Sequence, residues 1–161
     1  MQVKVITMEP RKEPVKLIID DRGFLSQIFD GKNDKITFNG LDYLELPKIR
    51  RIYLVGNFSK NIIRGMHYHE KEWKYFFVIK GSAKFVVSPE DKPTEKTKIF
   101  VLSDKKPEVL IVPPKNYNGW KALEEGTLIL GMSNFSLEES LKDDKRIPVT
   151  NFLDLFKVKS M

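Results

Sequence analysis

The stretch Arg64 to Lys84, RGMHYHEKEWKYFFVIKGSAK, decides the fold. Arg64 to Glu70 reads as extended chain, and extended chain sends alternate side chains to opposite faces, so His67 and His69 project together from one side into one cavity. Beyond Lys71-Glu72 the run Trp73 to Ile79 is strongly apolar and rich in aromatic and β-branched residues, the composition of a buried strand. Lys80-Gly81-Ser82 supplies a turn, and Ala83 to Ser88 resumes the β pattern.

The same texture continues outward. Val15 to Ile19, Ile49 to Phe58, Lys98 to Leu102, Val109 to Val112 and Thr127 to Met132 read as further strands. Turn residues separate them, as in Pro89-Glu90-Asp91-Lys92-Pro93, Ser103-Asp104, Pro113-Pro114-Lys115-Asn116 and Glu124-Glu125-Gly126. Many short strands without helical periodicity predict an all-β sandwich or closed barrel. Only the tail departs from this: Ser136 offers an N-cap before the acidic turn Leu137-Glu138-Glu139, and Asn151 to Phe156 adds another helical turn. With 161 residues, no repeat and no Gly/Ser linker, a single domain over residues 1–161 is expected.

Composition removes several chemistries. Cysteine is absent, which excludes disulfides, a thiolate nucleophile and Cys-ligated zinc. The net charge of +6 is spread among alternating acids and bases, which suits a small phosphate-bearing ligand better than nucleic acid. No apolar run is long enough to span a bilayer, and Met1 to Thr7 lacks the apolar core of a secretory signal. A cytoplasmic location without membrane partners is the expectation. The chain's two histidines stand beside Arg64 in an alternating pattern, which points to proton-transfer chemistry.

These residues carry a resemblance. Arg64 to Lys84 is similar to the first motif of the cupin superfamily, and Pro113 to Trp120 to the second. The resemblance implies a cupin, that is, a double-stranded β-helix or jelly-roll barrel with a short C-terminal helical tail. Most cupins hold a metal through two His, one Glu and a further His. Here Lys74 stands where the Glu belongs and Asn118 where the last His belongs. A cation opposes a divalent metal and an amide replaces imidazole poorly, so no catalytic metal and no cofactor are expected.

Asp20, Arg22, Gly23 and Phe24, then Arg64, Gly65 and His67, then Lys74 resemble a narrower, RmlC-like group that remodels nucleotide-linked 4-keto-6-deoxysugars. Two branches compete. Tyr68, Lys74 and Pro113-Pro114 resemble the dTDP-4-dehydrorhamnose 3,5-epimerases. However, Phe135 lies where their acidic Tyr is expected, and Asn118 replaces their second-motif His. His69 and the tail Asn151 to Phe156 resemble the 3,4-ketoisomerases, and the balance favours that branch. Tyr43, Tyr53, Tyr75 and Tyr117 remain available to replace the missing acid in space.

The resemblance assigns His67 to removal of the C3 proton and His69 to a shuttle returning it at C4. Lys74 or Asn118 would stabilise the enolate oxygen, Arg64 and Arg22 would hold the diphosphate, and Phe24 and Trp120 would stack on the base or sugar. Each has a structural alternative: Arg22 as a turn cap, Lys74 on the outer face, Phe24 and Trp120 as core. A homodimer in which an early strand crosses to the partner barrel is also implied. Two other classes stay open, a non-catalytic sugar-nucleotide-binding cupin and a metal-dependent cupin enzyme.

Overall fold

A computed structural model describes residues 7–159. The start of the chain read above for a secretory signal lies outside them, apart from Thr7. Two five-stranded antiparallel sheets face each other. One has the order β1 (Arg11–Pro14), β11 (Glu108–Val112), β8 (Lys74–Lys80), β13 (Leu128–Ser133) and β6 (Arg51–Gly56). The other has the order β10 (Lys98–Ser103), β9 (Ser82–Ser88), β12 (Tyr117–Ala122), β7 (Ile63–His69) and β14 (Asp144–Arg146). Two hairpins stand outside them, β2 (Lys16–Asp20) with β3 (Gly23–Gln27), and β4 (Asp30–Lys32) with β5 (Lys35–Thr37). This is the expected all-β jelly-roll barrel. Among the described residues no helix is long and apolar enough to cross a membrane.

The apolar run in β8 is continuous because both of its faces are covered. Phe76 and Val78 point between the sheets, where they join Phe85, Leu110, Trp120 and Ile129. Tyr75 and Phe77 point the other way, under Ile36, Phe38, Leu44 and Leu46 of the early chain. The outer face of the second sheet is covered by the tail, a 3-10 helix at Val149–Phe156 whose Phe152 and Phe156 pack on Met66 and Val86. α1 (Leu137–Lys142) begins at the expected N-cap, Ser136, which closes a capping box: Glu139 N–H donates to Ser136 Oγ, and the Glu139 carboxylate accepts from Ser136 N–H.

The interior is graded along its length. On three strands the inward residues run from polar to apolar: Arg51, Tyr53 and Val55 on β6; Lys74, Phe76 and Val78 on β8; Asn118, Trp120 and Ala122 on β12. Register sets the polar members at one end, because Arg51 pairs with Ser133, Ser133 with Lys74, and Asn118 with His67. One end of the barrel is therefore core and the other a cavity.

Strands β1, β3, β4, β5, β12 and β14 escaped the sequence reading. β14 is the most consequential, for it is three charged residues with no strand propensity. It forms because Asp143, which follows α1, accepts the backbone N–H groups of Glu70, Lys71 and Glu72 at 3.0 to 3.1 Å. That stitch lays Asp144 to Arg146 antiparallel to His69 to His67.

Candidate active site

The cavity holds about 560 Å³ between the sheets. Phe76, Trp120 and Val55 make an apolar floor, and Arg51, Tyr53, Arg64, His67, Lys74, Asn118 and Arg146 supply the polar wall. Four of the seven polar groups, Arg51, Arg64, Lys74 and Arg146, are cationic at neutral pH, so the space is built for an anion.

His67 enters from β7 with its side chain 30% exposed. Its Nδ1 lies 3.0 Å from Oδ1 of Asp144, whose Oδ2 accepts from Arg146 Nε at 2.7 Å. The carboxylate fixes the ring's orientation and leaves Nε2 as the nitrogen that can exchange protons. Burial holds the His67 pKa below the ordinary imidazole value, against the opposing pull of Asp144. Burial pushes the Asp144 carboxyl upward, but its bonds from Arg146 and His67 outweigh that and hold it low. A neutral imidazole backed by a carboxylate anion is poised to act as a base.

The local backbone explains the glycine of the Arg-Gly-x-His pattern. Gly65 has φ +131°, and a Cβ there would meet Gly119 Cα at 2.5 Å. Only glycine lets β7 and β12 approach so closely at the point where their register shifts, between Asn118 and Trp120. Asn118 is buried and donates from Nδ2 to the His67 carbonyl at 3.2 Å. Arg64, at the cavity rim, donates to Asn57 Oδ1 at 2.6 Å. Trp120 serves both readings offered for it, since it lines the floor and its ring stacks on core residue Phe85.

His69 stands elsewhere. It shares the β7 face with His67, as alternation requires, but is only 3% exposed and does not line the cavity. Its Nδ1 lies 2.9 Å from Glu72 Oε2 and its Nε2 3.7 Å from Asp144 Oδ1. Neither nitrogen points along a hydrogen bond to these oxygens, and the buried ring sits between the Glu72 and Asp144 carboxylates. Direct shuttling by His69 to a substrate is not what this placement provides.

Lys74 points inward, which settles its face. Burial lowers its pKa, opposed by the charges of Glu72 and Asp144. Tyr53 reaches the cavity from the other sheet, its ring lying across Gly131, where any Cβ would collide with it. Burial raises the phenol to about 12, and the Arg51 guanidinium sits 5.3 Å from the ring centroid. Of the four tyrosines considered, Tyr53 alone lines this cavity. Tyr75 donates to the Pro47 carbonyl, Tyr43 to Asp30, and Tyr117 packs on Tyr68. Phe135 does not line the cavity.

Arg22 and Phe24 lie at the β2–β3 hairpin, outside this cavity. The Arg22 side chain is 85% exposed and paired with Asp20, and its backbone N–H also donates to that carboxylate, the turn-capping arrangement. Phe24 is 78% exposed, so it is not core. Within one chain the hairpin contributes nothing to the space around His67.

Asp144, Arg146, Arg51 and Glu72 were not identified as site residues from sequence. Arg51 was legible in principle, being two and four residues from inward-facing Tyr53 and Val55. Gly131 inside a strand was a second signal, marking the close approach of Tyr53. Among the described residues no group of three or more His, Cys, Asp or Glu side chains is gathered so as to hold a metal ion.

The barrel and its His-bearing strand define an RmlC-like cupin. A family model described as FdtA: WxcM-like, C-terminal matches residues 9–146, and the chain belongs to that family. It is 28% identical over 133 residues to the spore coat polysaccharide biosynthesis protein SpsL of Bacillus subtilis, covering 80% of this chain and 81% of that one. The QdtA 3,4-ketoisomerase of Thermoanaerobacterium thermosaccharolyticum, a double mutant in complex with TDP, superposes with a TM-score of 0.67 at 26% identity, covering 88% of this chain and 90% of that one. The RmlC epimerase of Mycobacterium tuberculosis shares the fold, with a TM-score of 0.70 at 16% identity over 93% of this chain and 74% of that one.

Proposed function

We propose that the protein is an isomerase of a nucleotide-diphosphate-linked 4-keto-6-deoxyhexose, specifically a dTDP-4-keto-6-deoxyhexose 3,4-ketoisomerase. The observation that carries this is the His67–Asp144 pair opening on a cationic cavity with an apolar floor. The likeness to a ketoisomerase that binds TDP supports the substrate class.

The C4 ketone acidifies the C3–H bond. His67 Nε2 takes that proton, the electron pair moves into a C3–C4 double bond, and the C4 oxygen becomes an enolate beside the Lys74 ammonium. The proton then returns to C4 while the C3 hydroxyl passes its own to the C4 oxygen, which leaves the carbonyl at C3 and a hydroxyl at C4. His67 can perform both transfers from one face without His69. Arg64 and Arg146, which line the cavity, would hold diphosphate oxygens, a task for which planar guanidinium groups are suited. The chemistry needs no metal: Lys74 supplies the positive charge that an ion would bring.

Tyr53 favours a second reading. It faces the cavity from the sheet opposite His67, where an acid would deliver a proton to the other side of the sugar and give a 3,5-epimerase outcome. Incubation with dTDP-4-keto-6-deoxyglucose in heavy water decides. A carbonyl shift from C4 to C3, with or without deuterium at C4, supports the ketoisomerase. Label at C3 and C5 without a shift supports epimerisation, and neither a shift nor exchange refutes both.

The reading includes a homodimer. Ile18, Ile19, Phe24 and Leu25 are 45 to 78% exposed on a hairpin whose strands pair only with each other. Burying them on a second copy would bring Arg22 and Phe24 to the partner's cavity, which gives both residues the substrate-binding role they lack within one chain.

A further inference from the structure

Glu72 does not line the cavity, yet the polar walls on both sides of it lead back to this residue. It lies between β7 and β8 with its side chain fully buried. Its carboxylate is divided between the sheets. Oε1 accepts from Arg51 Nη2 at 3.1 Å and from Ser133 Oγ at 2.5 Å, on β6 and β13. Oε2 accepts from Ser140 Oγ of α1 at 2.7 Å and lies 2.9 Å from His69 Nδ1 on β7. A buried carboxylate is costly unless surrounded by donors, and here four groups surround it.

Each oxygen begins a short path to the reacting space. From Oε1 the path runs through Arg51, whose guanidinium lies over the Tyr53 ring. From Oε2 it runs through His69 to Asp144 Oδ1, 3.7 Å from Nε2, and so to His67 at 3.0 Å. Buried polar atoms nearly always have hydrogen-bond partners, and the two His69 nitrogens are exceptions. A buried ring without hydrogen bonds of its own takes its place from the carboxylates that flank it.

We infer that Glu72 is a positioning residue, a single carboxylate that holds the Tyr53–Arg51 wall and the His67–Asp144 wall of the cavity in fixed relation. The inference rests on the proposed role of His67 as the proton-transfer group. A carboxylate suits the task because it only accepts, whereas a glutamine presents one acceptor oxygen and a donor amide. In Glu72→Gln the amide meets His69 or Arg51, and one wall is released.

The test is steady-state kinetics of the full-length protein with dTDP-4-keto-6-deoxyglucose, alongside thermal melting and TDP binding. Glu72→Gln is expected to lower kcat by ~10²-fold, the order that a 1 Å misplacement costs, with KM and the TDP dissociation constant within about twofold of wild type. Should that variant fail to fold, His69→Asn severs only the Oε2 path and is expected to lower kcat about tenfold or more at unchanged KM. A Glu72→Gln kcat within about twofold of wild type, or a loss shared equally by KM and TDP binding, overturns the inference. In the fallback, an unchanged kcat in His69→Asn does the same. If wild type turns over, His67→Asn does not and Glu72→Gln matches wild type, only this inference fails. If wild type neither turns over nor exchanges, the functional reading fails and takes the inference with it.

Discussion

His67 Nδ1 and Asp144 Oδ1 lie 3.0 Å apart although 77 residues separate them in the chain. The contact exists because β14 pairs antiparallel with β7, setting Asp144 opposite His69 and Arg146 opposite His67. Asp144→Asn keeps the side chain's shape but removes its charge and can offer a donor to Nδ1, which favours the wrong imidazole tautomer. The expected result is a fall in kcat of roughly 10²-fold or more, with TDP binding retained by calorimetry. A variant that turns over like wild type would remove Asp144 from the mechanism.

The pH profile follows from two depressed groups. His67 is held below its ordinary 6.5, so its neutral, basic form persists in more acidic solution and the acid limb of kcat/KM falls below that pH. Lys74 is held below its ordinary 10.5, so its ammonium is lost earlier and the alkaline limb falls below that value. A bell with both limbs moved to lower pH is expected, and His67→Asn should abolish the activity that defines it.

Stability has a related sign. For His67 the unfolded state binds the proton more readily, so stability declines as pH drops below 6.5. Glu72 is lowered from 4.5 to about 2 because the close His69 ring, the Lys74 charge and the bonds from Ser133 and Ser140 outweigh its burial. Its contribution is present above pH 4.5 and lost as pH falls toward 2. Melting temperature should decline with acidification in both windows, and Glu72→Gln should flatten the lower one.

Gly131→Ala tests the seat of Tyr53. A methyl group at this position collides with the phenol ring, which must move into the cavity or strain the sheet. Overpacking of this kind costs about 1–3 kcal/mol. The variant is expected to melt earlier and lose activity, and Gly131→Ala combined with Tyr53→Ala should recover much of the stability.

The hairpin prediction concerns assembly. Ile19, 72% exposed, is replaced by Lys, which should shift sedimentation from dimer to monomer and lower activity together if the partner supplies Arg22. Arg22→Ala should leave the dimer intact and raise KM. A wild-type protein that sediments as a monomer refutes this part of the reading.

The sequence alone determined the all-β class, a sandwich or closed barrel, because period-two alternation and turn residues are local properties of a chain; the jelly-roll barrel was implied by the resemblance of Arg64 to Lys84 and Pro113 to Trp120. It also placed His67 and His69 on one face, gave Ser136 its capping role, and marked Lys74 and Asn118 as departures from a metal-binding pattern. Only the tertiary structure decided what those residues face. Asp144 reaches His67 through a three-residue strand with no propensity of its own, created when the Asp143 carboxylate captures the backbone of the β7–β8 turn. His69 is separated from the cavity by the same event, since Glu72 and Asp144 close around it. Local patterning fixes which side of a strand a residue occupies, but a charged group's partners come from distant segments, joined by long-range hydrogen bonds that leave no periodic mark in the sequence.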